Sequence, residues 1–245
     1  MAAVVSDEQA GTKVSFIDPK LLPTAVALDP KLTLGLPPAV TAATGMDALT
    51  HAVEAYVSKL ANAETDGWAV TATRLLTTNI EQAYGNGSDI AAREAMLLGS
   101  CFAGMAFTRA GVGYVHAIAH QLGALYHLPH GLANAIVLPH VLDYSRPRCT
   151  SRLAQLARAA ELPSAGNGDE ELAVAFVARV RQLNTALSIP ATVDRLREED
   201  FDRIIDRAFV EAHGTYGVPR YLDRHNARTL LSRLTPSGRE ATASD

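Results

Sequence analysis

Two short segments carry residue types that could hold a metal ion. In "GMDALTHAVEAY", Asp47 and His51 stand four residues apart. On a helix that spacing puts a carboxylate and an imidazole on one face, one turn apart. In "GYVHAIAHQLGALYHLPHGLANAIVLPH", Gly113 to His140, sit His116, His120, His127, His130 and His140, out of eight histidines in the chain. Imidazoles in so apolar a segment need partners for their ring nitrogens. A lone Asp-His pair is more often an ordinary hydrogen bond than a pair of ligands, but here His116 and His120 are again one turn apart. Pro129-His130-Gly131 then fixes another ring at a helix start. One carboxylate with three imidazoles suits Fe(II), Zn(II), Co(II) or Mn(II), and the lack of thiolates argues against a structural zinc knot. Spacing leaves open which of His116, His120 and His130 bind, and suggests only that at least two of them do.

Helices must position these residues. From Pro37 onward apolar residues recur at helical spacing. The pattern predicts a helix over "PPAVTAATGMDALTHAVEAYVSKLA", with Gly45 dividing a short turn from a longer helix. Further helices are expected over "DGWAVTATRLLTTNIEQAYGNGSD", ending at Gly85, and over "DIAAREAMLLGSCFAGMAFTRAG", capped by Ser88 or Asp89. One should carry His116 and His120, and another should begin near His130. "SRLAQLARAAEL", "NGDEELAVAFVARVRQLNTAL" and "REEDFDRIIDRAFVEA" complete the set. The front end differs: "KVSFID" and "TAVALD" read as two short strands, each closed by Asp-Pro. The expected fold class is therefore mainly α: a helical core over residues 31–235, preceded by a β remnant in residues 1–30. The tail 236–245 is expected to be disordered.

Composition narrows the function classes. A net charge of -4 and the absence of a basic stripe exclude a nucleic-acid footprint. Two cysteines, Cys101 and Cys149, cannot build a disulfide framework, so a reducing cytoplasm is expected. "MAAVVSDEQAG" lacks the features of a signal peptide. "ANAIVLPHVL", read as the most apolar stretch, is too short to cross a bilayer, so no membrane partner is expected.

The blocks "DPKLTLGLPPAVTAATGMDALTHAVEAYVS" and "GYVHAIAHQLGALYHLPHGLANAIVLPHV" closely resemble the iron-containing (group III) alcohol dehydrogenases. The likeness weakens after Pro147 and returns at "TYGVPRYLDR". It implies Asp47, His51, His116 and His130 as the metal ligands. It also implies that His120 lies near nicotinamide and substrate without binding the metal, as a proton relay. Phe107 and His213 match substrate-pocket positions, and Lys13 a basic position that touches the dinucleotide. His127 and His140 are expected to be structural, and Cys101 a core residue. The family's glycine-rich phosphate loops are not in this sequence. The first 30 residues would then be the last strands of a nucleotide-binding domain, and an exposed sheet edge there would invite a homo-oligomer.

Three functions follow as expectations. The first is the catalytic metal domain of an NAD(P)-dependent alcohol dehydrogenase holding Fe(2+) or Zn(2+) and acting on a small alcohol or aldehyde. On this reading the chain alone binds NAD(P) weakly or not at all. The second is a metal-dependent hydrolase or lyase that reuses the site without NAD. The third is a non-catalytic remnant that binds metal or a partner.

Overall fold

The computed structural model describes residues 2–7, 12–21, 23–163 and 168–236. Two strands open the chain, β1 (Ala2–Asp7) and β2 (Thr12–Ile17), paired antiparallel with Val4 opposite Ser15 and Ser6 opposite Lys13. "KVSFID" thus forms most of a strand, but "TAVALD" does not. Among the described residues β2 pairs with β1, and no strand pairs with residues 24–29. Without a ladder, residues 24–29 run irregularly to Asp29, whose side chain accepts from the Lys31 amide and caps a 3-10 turn over Pro30–Thr33. Val26 and Leu32 are left exposed. The expected tail lies almost wholly outside the described residues.

Nine α-helices follow among the described residues: α1 (Pro38–Val57), α2 (Ala63–Gly85), α3 (Ile90–Ala110), α4 (Tyr114–Tyr126), α5 (His130–Ser145), α6 (Thr150–Ala159), α7 (Asp169–Ala186), α8 (Phe201–Ala212) and α9 (Arg224–Ser232). Their ends follow capping chemistry. Asn62 accepts from the Glu64 and Thr65 amides and closes a capping box on α2, while Asp89 and Asp223 cap α3 and α9. The sequence reading missed α9, a short helix of polar composition that gains its stability by docking Ala227, Leu230 and Leu231 into the core.

α1 is the central element. It packs against α2, α3 and α5, and Met46, Leu49, Ala52 and Val53 are wholly or almost wholly buried. Gly45 does not divide it. The helix runs straight through, and a Cβ there would come within 2.7 Å of Ile80 and 2.8 Å of Met96. Its missing side chain lets α2 and α3 approach. α3 is long and apolar enough to cross a membrane by length and composition, with a mean hydropathy of 1.3. It lies against α1 and α2 and buries Arg93 on carbonyl and hydroxyl oxygens of Gly87 and Thr41.

α5 carries Pro139 inside the helix. Proline has no N–H, so the carbonyl of Ala135, four residues earlier, loses its helical donor. The Asn184 side-chain amide of α7 supplies one, donating to Ala135 O at 2.7 Å in a buried contact. This ties α7 to α5 a little over one turn beyond His130. Replacing Asn184 with Ala leaves that carbonyl buried without a donor. We expect a loss of about 1–2 kcal/mol of stability, read as a lower midpoint in urea at unchanged slope. An unchanged midpoint would remove this role for Asn184.

Candidate metal centre

The site is assembled where α1, α4 and α5 meet. Asp47 and His51 project from successive turns of α1, His116 comes from the first turn of α4, and His130 is the first residue of α5. One donor atom from each lies within 4.8 Å of all the others. His116 Nε2 is 2.9 Å from His51 Nε2 and 3.7 Å from Asp47 Oδ1, and His130 Nε2 is 3.6 Å from Asp47 Oδ1. Ligands of a tetrahedral ion with bonds of about 2.1 Å stand roughly 3.4 Å apart, so the set has the right size.

Local sequence explains the close approach. Pro129 precedes His130 in an extended conformation and starts α5 abruptly. Gly131 then lets the start of α5 press onto α1. A Cβ there would fall 2.3 Å from the carbonyl oxygen of Ala43 and 3.2 Å from Asp47 Cβ. No other residue fits without pushing His130 away from Asp47.

Burial prepares the rings as ligands. Desolvation, reinforced by the neighbouring His116, lowers the pKa of His51 to about 4. His116, buried on α4, is lowered to about 3 by desolvation, and the Asp47 charge only partly opposes this. Both rings are therefore neutral near pH 7, with lone pairs available. Two neutral Nε2 atoms at 2.9 Å call for a proton or a cation between them. The donor set itself thus fits a divalent ion.

Glu54 was not singled out from the sequence. It is buried, and its carboxylate accepts from the Gly113 amide at 2.9 Å, the Val115 amide at 2.7 Å and His116 Nδ1 at 2.7 Å. That last bond puts the His116 proton on Nδ1 and leaves Nε2 facing the other donors. Burial pushes the Glu54 carboxyl up to about 7, against the backbone donors that favour its charged form. A signal was present: Asp47, His51 and Glu54 follow i, i+4, i+7 spacing along one face of α1. Asn134, one turn after His130, also escaped notice. Its side-chain amide donates to Asp47 Oδ1 at 2.6 Å and lies 3.2 Å from His130 Nε2.

The remaining expected residues divide. Phe107 stacks on the His51 ring at 4.2 Å and so borders the cluster. His120 is beside it, with ring centroids 5.2 Å from His130 and 6.0 Å from His116, and its Nδ1 bonds Glu211 Oε1 at 2.7 Å. The ring contacts of His213 are to Phe209, Tyr114 and Tyr221, not to the four donors. His127 ends α4 in a left-handed conformation, with φ 54. His140 lines a cleft of about 450 Å³ between α5 and α7. Cys101 is half-buried on α3. Lys13 stands in β2, but its side chain falls outside the described residues.

Residues 41–235 match the family model described as "Fe-containing alcohol dehydrogenase family, C-terminal". The chain belongs to the iron-containing alcohol dehydrogenases. Alcohol dehydrogenase 4 of Schizosaccharomyces pombe is 42% identical over 216 residues, which cover 86% of this chain and 50% of that protein. The 1,3-propanediol dehydrogenase of Klebsiella pneumoniae is 42% identical over 219 residues, 89% of this chain and 56% of the relative. Among solved structures, a 1,3-propanediol oxidoreductase superposes with a TM-score of 0.90 at 38% identity, covering 95% of this chain and 61% of that one. The chain therefore spans a little over half the length of these relatives, and what it shares with the family is the helical C-terminal part.

Glu54→Gln keeps the side-chain volume but weakens the acceptor for His116 Nδ1–H. We expect metal affinity of the purified chain to fall by about 10–100-fold while helicity is retained. Gly131→Ala should be harsher, costing about 1–3 kcal/mol from overpacking and reducing metal uptake as well. Titration with Zn(2+) and Fe(2+) beside circular dichroism tests both. Wild-type affinity in Glu54→Gln would show that the buried carboxylate does not tune the site.

Proposed function

We propose that this chain provides the metal centre and the proton-transfer histidine of an alcohol dehydrogenase acting on a small alcohol or aldehyde. Asp47, His51, His116 and His130 are the ligands on this reading. The observation that carries it is the convergence of one carboxylate and three imidazoles from three helices within 4.8 Å. A divalent ion held there would supply Lewis acidity toward a substrate hydroxyl or carbonyl oxygen. Iron and zinc both suit the ligand set.

The chain's own residues do the rest. Glu54 fixes the His116 tautomer, Gly131 sets the distance between α5 and α1, and Phe107 shields one face of His51 from water. His120 lies next to the cluster with Nδ1 engaged, so its Nε2 is the group available to exchange a proton with a substrate oxygen. The two cysteines, both free, support a reducing compartment such as the cytoplasm.

The dinucleotide is a different matter. Pyrophosphate binding takes a glycine-rich turn between a strand and a helix. Among the described residues the "GNGSD" turn joins α2 to α3, Ser88 bonds Asn86 within it, and Arg93 fills the space beside Gly87. These residues do not form such a cradle. On this reading the described residues supply the substrate's oxygen end of the reaction, and a nicotinamide is the hydride partner.

Elemental analysis should find about one divalent ion per chain, with clear losses in His116→Ala and His130→Ala. Unchanged metal content in both variants would dismiss the ligand assignment. NADH added to the purified chain should give no micromolar binding by fluorescence. Micromolar affinity with turnover of a simple alcohol would overturn the division of labour. Metal binding together with hydrolysis, in the absence of NADH, would favour the hydrolase reading instead.

A further inference from the structure

The neighbourhood of His120 contains more than the metal centre needs. Glu211, at the end of α8, places Oε1 2.7 Å from His120 Nδ1. The Tyr216 hydroxyl donates to the same oxygen at 2.7 Å, and the Gln121 amide reaches Oε2 at 3.3 Å. Three groups from α4 and from the loop after α8 thus converge on one half-buried carboxylate. None of the three touches the four metal-site donors through this bond network.

We propose that Glu211 is a positioning residue that holds His120 in the Nδ1–H tautomer, leaving the Nε2 lone pair open for a substrate proton; this rests on the His120 role given above. The argument is one of donors and acceptors. An ionised carboxylate only accepts hydrogen bonds. The Tyr216 phenol, raised by burial and by Glu211, stays protonated and must donate to it. The remaining partner of Oε1, His120 Nδ1, must then carry its proton as well. Nε2, on the opposite edge of the ring, is left as the acceptor. In alcohol oxidation the hydroxyl O–H bond breaks and Nε2–H forms, while hydride leaves the carbon for an oxidised nicotinamide. Reduction reverses both transfers. With the opposite tautomer Nε2 would already hold a proton and could not accept one. A free histidine side chain favours Nε2–H, so without Glu211 the ring would rest mostly in the wrong form.

A purely structural alternative exists, in which Glu211 only ties α8 to α4. The two are separated by reading the tautomer directly. The chain would be labelled with 15N-histidine, loaded with zinc and observed by NMR in buffer alkaline enough to keep imidazoles neutral. The His120 signals are identified by their disappearance in His120→Asn. In the wild type, Nδ1 of His120 should resonate as a protonated nitrogen and Nε2 as an unprotonated one. In Glu211→Leu the two should exchange positions. Glu211→Gln, which preserves volume and is the variant to use if Leu does not fold, should shift both resonances part of the way. Tyr216→Phe should leave them near the wild-type values, since Glu211 remains. A wild-type His120 protonated on Nε2 would overturn the proposal. So would identical ring resonances in the wild type and in every folded Glu211 variant. Because the readout is the ring itself, this failure is distinct from failure of the metal or dehydrogenase reading, which the metal analysis tests separately.

Discussion

The buried carboxylate of Glu54 is the contact on which the site depends. It sits in the last turn of α1, one turn beyond His51, and takes three donors from the start of α4. Helix starts leave amides without intrahelical partners. Here two such amides, Gly113 and Val115, are satisfied by a side chain from another helix. The same carboxylate orients the His116 ring. One buried acid therefore docks α4 on α1 and aims a ligand. An unpaired carboxyl at that depth would be costly, so fold and site stand or fall together.

A second constraint acts on the other side. α5 must begin within van der Waals contact of α1, or His130 cannot share an ion with Asp47. Pro129 starts the helix and Gly131 admits the carbonyl of Ala43. Farther along α5, Pro139 breaks the hydrogen-bond ladder, and Asn184 repairs it from α7. α5 is thus positioned by features that look, in isolation, like helix breakers.

Much of this was legible in the sequence because it is local. Helical spacing alone put Asp47 and His51 on one face, and the family likeness distinguished His116 and His130 from His120. What spacing could not reveal was tertiary. Glu211 lies 91 residues from His120, and no periodicity connects them; only the packing of α4 on α8 does. Gly45 was misread for a related reason. A glycine in a helical pattern looks like a break, whereas here it is a point of close approach between three helices. "TAVALD" has the composition of a strand but pairs with none among the described residues, and composition alone does not make a strand. The aromatic cluster that His213 joins with Tyr114 and Phe209 is likewise tertiary, and no spacing announces it.

The two kinds of histidine around the site are built by opposite means. His51 and His116 are buried, and desolvation keeps them neutral, which suits a ligand that must not exchange its lone pair for a proton. His120 is 40% exposed in its side chain and is held by a carboxylate that water can also reach. A ligand imidazole gains from a dry, fixed setting, while a proton carrier needs contact with solvent to reload. On the proposed reading, in which His116 binds the ion and His120 carries the proton, consecutive turns of α4 meet both needs: the His116 turn meets α1 and is dry, and the His120 turn reaches α8 and the outside. Helical spacing makes His116 and His120 indistinguishable in the sequence, and it is the packing of one against α1 and of the other against α8 that sets them apart in the fold.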